Sequence, residues 1–173
     1  MNEATSKSNE IKEVKKELKY LLIRVGIFVA VIWLLFAKVI LICRAPDNGM
    51  FPAIKSGDLI IGFRITGDLR RDEVIMYEQD GKTYTGRVIG CEGDIITIDE
   101  SGSVYVNGTQ MTGEIMYPTY PREGAGYPIT IEEDSVFVLG DYRLESADSR
   151  DFGCIKKSDI KAKVDAVFRR KNL

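Results

Sequence analysis

The sequence predicts a mostly β, antiparallel domain preceded by one transmembrane helix. Three observations carry this reading: a 23-residue apolar run at 21–43, a succession of short Val-, Ile-, Tyr- and Phe-rich segments after it, and Gly, Asp and Asn turn residues between those segments. The first 20 residues are polar, with Lys7, Lys12, Lys15, Lys16 and Lys19 interleaved with Glu3, Glu10, Glu13 and Glu17. The run LLIRVGIFVAVIWLLFAKVILIC follows, uncharged from Val25 to Ala37 and interrupted by Arg24 and Lys38 alone. A helix needs about 20 apolar residues to cross a bilayer, and both cations lie near enough to the ends of the run to snorkel. KVILICRAPDN offers no Ala-x-Ala cleavage site, so the run reads as an uncleaved anchor rather than a signal peptide. The basic flank precedes it, which places residues 1–20 in the cytoplasm and 44–173 outside the cell membrane.

Beyond the anchor, DLIIGFRI, EVIMYEQ, KTYTGRVIG, DIITID, SVYVNG, ITIEED and SVFVLGD read as short strands of a sandwich or barrel. DGK at 80–82 and NGT at 107–109 are hairpin turns, because Asp-Gly and Asn-Gly adopt positive φ readily. Residues 110–128 hold three prolines, three glycines and three tyrosines without periodicity and read as an irregular loop. The segment KKSDIKAKVDAVFRR alternates as a closing strand.

Composition excludes several chemistries. The chain has no histidine, which removes Ser-His-Asp and Cys-His catalysis and histidine-ligated metals. Cys43, Cys91 and Cys154 show neither a disulfide framework nor a CxxC pattern, and no metal or cofactor is called for. Residues 1–46 carry eight Lys/Arg and four Asp/Glu, so 47–173 hold 16 basic and 22 acidic residues. An acidic body argues against a nucleic-acid partner.

The segment Val138–Gly153, VLGDYRLESADSRDFG, resembles the type I signal peptidase box GDNRxxSxDSRxFG, with Gly140, Asp141, Arg143, Ser146, Asp148, Ser149, Arg150, Phe152 and Gly153 in register and Tyr142 in place of Asn. Gly86–Asp94 resembles KRVIGLPGD, Arg71–Ile75 resembles RGDIV, and Asn48–Asp58 resembles xSMxPTLxxGD. The resemblance covers roughly residues 20–165 and implies a signal-peptidase-like antiparallel β domain. In that family a serine nucleophile works with a neutral lysine base. Here the corresponding positions are Gly49 and Gly86, and Asp47 stands at the oxyanion side, where its charge would repel a developing anion. The expectation from the sequence is therefore a chain that is not an enzyme.

The resemblance further implies a peptide-binding groove lined by Asp47, Gly49, Met50, Pro52, Thr83, Tyr84, Thr85 and Gly86, widened and made less polar by the two glycines. Asp141, Arg143, Ser146, Asp148 and Arg150 are implied to be structural residues near the site, with Asp148 and Arg150 an ion pair. Cys91 reads as a small buried hydrophobe, and Ser56 and Lys55 point apart as chain neighbours. Proteins of this kind without the dyad belong to pilus gene clusters of Gram-positive cocci. The resemblance thus implies an exported protein or pilin as partner, held by an extended segment, in an accessory or chaperone role beside the sortase machinery, with membrane lipid around helix 21–43. Two other readings stand beside it: an active peptidase with a non-standard nucleophile such as Ser56 or Cys91, and a structural membrane subunit. The sequence does not give the oligomeric state.

Overall fold

The computed structural model describes residues 3–64, 67–112, 117–122, 124 and 126–169. It divides into two units, Met1–Val39 and Ile40–Leu173. The first is a single helix, α1 (Glu3–Lys38), which ends with Lys38 in its last turn. From Lys12 to Lys38 its length and composition are sufficient to cross a membrane. The anchor read as 21–43 is therefore corrected at its far end. Residues Ile40–Arg44 form strand β1 instead, paired with β2 (Leu59–Phe63). A cation beside the last helical carbonyls is favourable, and the Val-Ile-Leu-Ile sequence after it has β-branched side chains suited to a sheet.

The second unit is mostly antiparallel β. Its larger sheet has seven strands in the order β1, β2, β11 (Ile160–Phe168), β3 (Val74–Gln79), β4 (Lys82–Cys91), β9 (Ser135–Leu139) and β10 (Ile155–Lys156). A four-stranded sheet runs β7 (Thr109–Gln110), β6 (Val104–Val106), β5 (Ile95–Ile98) and β8 (Ile129–Thr130). Both expected hairpin turns form. Asp80 and Gly81 join β3 to β4 at φ 51° and 73°, and Asn107 and Gly108 join β6 to β7 at 53° and 77°. The closing segment becomes a 3-10 turn (Lys157–Asp159) followed by β11. No helix or strand occurs in the described residues between Gln110 and Ile129. The part of the predicted loop at 113–116, 123 and 125 lies outside the described residues.

Strand β9 is the hub of the core. All five of its residues are buried, and its two faces serve different clusters. Phe137 and Leu139 pack with Ile89, Ile96, Ile98, Val104, Val106 and Ile131, while Val136 and Val138 pack with Leu69, Ile75, Tyr77, Val88 and Ile155. A strand covered on both sides needs the continuous apolar run that SVFVL supplies. A third cluster of Ala45, Met50, Ile54, Ile60 and Met76 lies under β1 and β2. On their other face, Ile42, Leu59, Phe63 and Phe168 are exposed.

The β3–β4 turn offers a check on the hairpin. Gly81→Ala places a Cβ at φ 73° and is expected to lower unfolding stability by about 1 kcal/mol. Urea denaturation of the full chain in detergent micelles, followed by circular dichroism, measures it.

Candidate functional site

Three segments meet around Gly49. The loop after β1 brings Asp47, whose Oδ1 accepts hydrogen bonds from the Gly49 amide at 2.9 Å and from Thr85 Oγ1 on β4 at 3.2 Å. From the other side, the Tyr142 amide donates to the Gly49 carbonyl at 2.9 Å. The three segments that the sequence singled out, 47–52, 83–86 and 140–150, are thus joined by hydrogen bonds across this point. Gly86 follows Thr85 on the same strand, opposite Ile75 of β3.

The third segment is held by a buried charge network. Arg150 donates to Asp148 through Nε at 2.9 Å and through Nη2 at 2.9 Å, with both side chains almost fully enclosed at 2% and 1% exposure. Asp148 also accepts from the Gly140 amide (3.1 Å), from Ser146 Oγ (2.7 Å) and from the Arg150 amide (3.1 Å). It caps the short helix α2 (Ser149–Phe152) in a capping box with Asp151. Ser149 Oγ accepts the Val138 amide, which fixes α2 to β9. Arg143 donates to the Gly140 carbonyl at 2.7 Å and to Thr119 Oγ1, and burial pushes its guanidinium down to about 10. Arg87 forms a two-pronged pair with Asp141 at 2.9 and 2.7 Å, linking the box to β4. The implied structural ion pair of Asp148 with Arg150 is present.

The site differs from the sequence reading in three places. Met50 was expected to line the groove, but it is fully buried in the cluster under β1 and β2, because the turn at Phe51–Ile54 tucks it inward. Gly86 was expected to widen the floor. A Cβ at that position would overlap Val138 Cγ1 and come within 3.4 Å of Tyr77 Cε1, so neighbouring side chains already fill the space. A Cβ at Gly49 would lie 3.2 Å from Asp47 Oδ1 and 3.5 Å from Ser146 Cβ.

Tyr77 was missed in the sequence because it reads as an ordinary strand aromatic. Its ring is completely buried, and its hydroxyl faces the Ala147 carbonyl at 3.4 Å. Burial, reinforced by the charges of Asp148 and Asp47, raises its pKa and keeps the phenol neutral. The thiol of Cys91 donates to the Leu69 carbonyl and its pKa is raised by burial, but the residue is half-buried at the margin of the Val136–Val138 cluster rather than enclosed as the sequence suggests. Ser56 lies in the loop that holds Asn48: its amide donates to Asn48 Oδ1 at 2.9 Å.

A sheet of this topology, a box of buried Asp and Arg beside β4, and a loop that brings residue 49 against it define a signal-peptidase type of site. The family described as "Signal peptidase, peptidase S26" matches residues 18–169, and the chain belongs to this family. It is 35% identical over 134 residues to Signal peptidase I of Bacillus caldolyticus, across 68% of this chain and 73% of that protein. It is 27% identical over 177 residues to Signal peptidase IB of Staphylococcus aureus, across 90% and 91% of the two. A crystal structure of a signal peptidase I from Enterococcus faecalis aligns with a TM-score of 0.48 at 23% identity, covering 56% of this chain and 97% of that one.

These relatives correct one expectation. Gly49 and Gly86 led to the reading that the chain is not an enzyme, whereas the family is a peptidase family and its relatives are named as signal peptidases. The physical reason is that two residue identities describe one nucleophile and one base. They do not describe the other hydroxyls at the site, among them Ser146, whose Cβ adjoins Gly49.

Two stability measurements test the site's construction. Arg150→Ala leaves Asp148 charged and buried and is expected to cost about 3–5 kcal/mol, read as a loss in the urea midpoint. Gly86→Ala is expected to cost about 1–3 kcal/mol by overpacking. Val138→Ala placed in the Gly86→Ala background should recover part of that loss, although Val138→Ala alone destabilises.

Proposed function

We propose that this chain is a membrane-tethered signal-peptidase family protein that seats an extended segment of an exported protein against β4. One observation carries the reading. Strand β4 pairs with β3 from Lys82 to Arg87, whereas β9 covers its other edge from Arg87 to Cys91, and no strand among the described residues pairs with that edge from Lys82 to Gly86. An uncovered strand edge offers main-chain donors and acceptors to an extended peptide, with alternate side chains read by neighbouring groups. The resemblance implies Asp47, Gly49 and Pro52 as the facing wall, and the Asp47–Thr85 hydrogen bond, which ties Asp47 to this strand, supports it. Thr83 and Tyr84 are partly exposed on the edge itself.

The membrane orientation belongs to the same proposal: N-terminus cytoplasmic and β domain extracytoplasmic, supported by the lysine-rich flank before the apolar helix. So does the biological setting. The resemblance to signal-peptidase-like proteins of Gram-positive pilus clusters supports a role as an accessory or chaperone in sortase-dependent pilus polymerisation, with a pilin as the segment's source. A second reading, cleavage of the seated segment, is favoured by the relatives named as signal peptidases.

Backbone methylation separates strand addition from other modes of binding. Extended peptides N-methylated on one set of alternate residues are expected to lose binding to the full chain in micelles, while peptides methylated on the other set keep it. Loss in both sets, or in neither, would sink the strand-edge reading. Mass spectrometry of the same samples reports cleavage, and turnover of the seated peptide by the full chain would establish the second reading. In the cell, deletion of the gene is expected to leave pilin as monomer; unchanged polymers together with a general export defect would contradict the pilus role.

A further inference from the structure

Asp47 has one committed oxygen and one that is not. Its Oδ1 takes both the Gly49 amide and the Thr85 hydroxyl, whereas Oδ2 has no hydrogen-bond or ion-pair partner among the described residues. Asp47 is half-buried, and Oδ2 is not among the buried unpartnered atoms of the described residues, so it is open to solvent. The arginines of the neighbouring box and of β4 are engaged elsewhere: Arg150 with Asp148, Arg87 with Asp141, and Arg143 with the Gly140 carbonyl and Thr119.

On the other side of Gly49 stands a row of aromatic rings. Phe51 and Tyr142 have centroids 5.8 Å apart, and Tyr142 and Tyr117 are 5.1 Å apart, each pair tilted rather than stacked. The Tyr142 amide is bonded to the Gly49 carbonyl, so the row begins directly beside the residue whose amide Asp47 holds. These rings accept positive charge: Lys55 Nζ lies 5.2 Å from the centroid of Phe51.

A free carboxylate oxygen recognises a cation, and its bonding narrows which one. A guanidinium binds carboxylates best through two parallel hydrogen bonds, which need both oxygens. With Oδ1 occupied, a compact ammonium that needs a single acceptor fits better. A chain running through the groove presents side chains at alternate positions rather than its terminal amine. We propose that the groove selects an extended segment carrying a lysine, whose ammonium sits on Asp47 Oδ2, the oxygen left free where Asp47 is tied to β4 through Thr85. This inference rests on the strand-edge reading above and names the class of segment that the site takes.

The test uses the full chain in detergent micelles and fluorescein-labelled extended peptides of small residues. A single lysine is moved through the peptide set, and each member has twins with norleucine or arginine at the same position. Fluorescence anisotropy is expected to show the best lysine peptide binding about tenfold more tightly than its norleucine twin, with the arginine twin weaker than lysine. Asp47→Asn keeps the Oδ1 acceptor and the loop. It is expected to reduce the lysine preference, the ratio of lysine to norleucine affinity in the same variant, to about twofold or less. Lys55→Gln, which removes a competing ammonium, is expected to tighten the lysine peptide. Equal lysine and norleucine affinities in the wild type, a preference that survives Asp47→Asn, or an arginine twin that binds as well as lysine would each overturn the inference and leave the strand-edge reading standing. Failure of every peptide to bind would overturn both.

Discussion

The constraint on which this site depends is the buried pairing of Asp148 with Arg150. Taking both charges out of water is costly, and the arrangement is stable because each is saturated: Asp148 receives two guanidinium hydrogen bonds, two amides and a hydroxyl, and Arg150 reaches the Arg143 carbonyl as well. The consequence is positional. The pair pins Gly140 at the end of β9 and Ser146 beside Gly49, and it caps α2 against the same strand. Arg143 then holds the 117–122 segment through Thr119, and Arg150 reaches the Tyr120 carbonyl. The Tyr142 amide on Gly49, the Arg87–Asp141 pair and the Ser149 hydroxyl on Val138 hold the same loop from its flanks.

Much of this was legible in the sequence, and the physical reasons differ from element to element. The hairpins at Asp80–Gly81 and Asn107–Gly108 could be read because positive φ at both turn positions is written in residue type. Strand β9 could be read because burial on both faces demands an uninterrupted apolar run. The helix terminus could not be read from hydropathy, since Ile40–Cys43 is equally apolar in a bilayer helix or in a sheet. Met50 was misplaced because apolarity does not say which way a loop residue points. Tyr77 left no signal: a phenol in a strand of VIMYEQ is unremarkable until its neighbours are known.

The glycines show the limit most sharply. A missing side chain in a sequence suggests empty space, yet space in a protein interior is filled by whatever lies nearest. At Gly86 the filling is done by Val138 and Tyr77, and at Gly49 by Asp47 and Ser146. The residue at 86 is therefore coupled to core residues on β9 and β3, and a change there is a packing change before it is a chemical one. The same coupling explains why residue identity at 49 and 86 is a poor guide to the activity of the whole site.

What the site offers a ligand follows from the direction of its hydrogen bonds. In the family's chemistry the groups around the nucleophile donate to an oxygen that gains negative charge. Here the Gly49 amide and the Thr85 hydroxyl both donate inward to Asp47, so the outward-facing group is an acceptor, Oδ2, rather than a donor. A peptide carbonyl would meet a carboxylate of like polarity at this point, whereas a donor would meet a partner. The open edge of β4 from Lys82 to Gly86 supplies the main-chain bonds that any extended sequence could use. Affinity without discrimination would come from that edge, and discrimination from the one position where polarity is reversed. On the proposed strand-edge reading, segments would be distinguished by the charge that they bring to Asp47, with the carboxylate the determinant of specificity and the strand edge the determinant of binding.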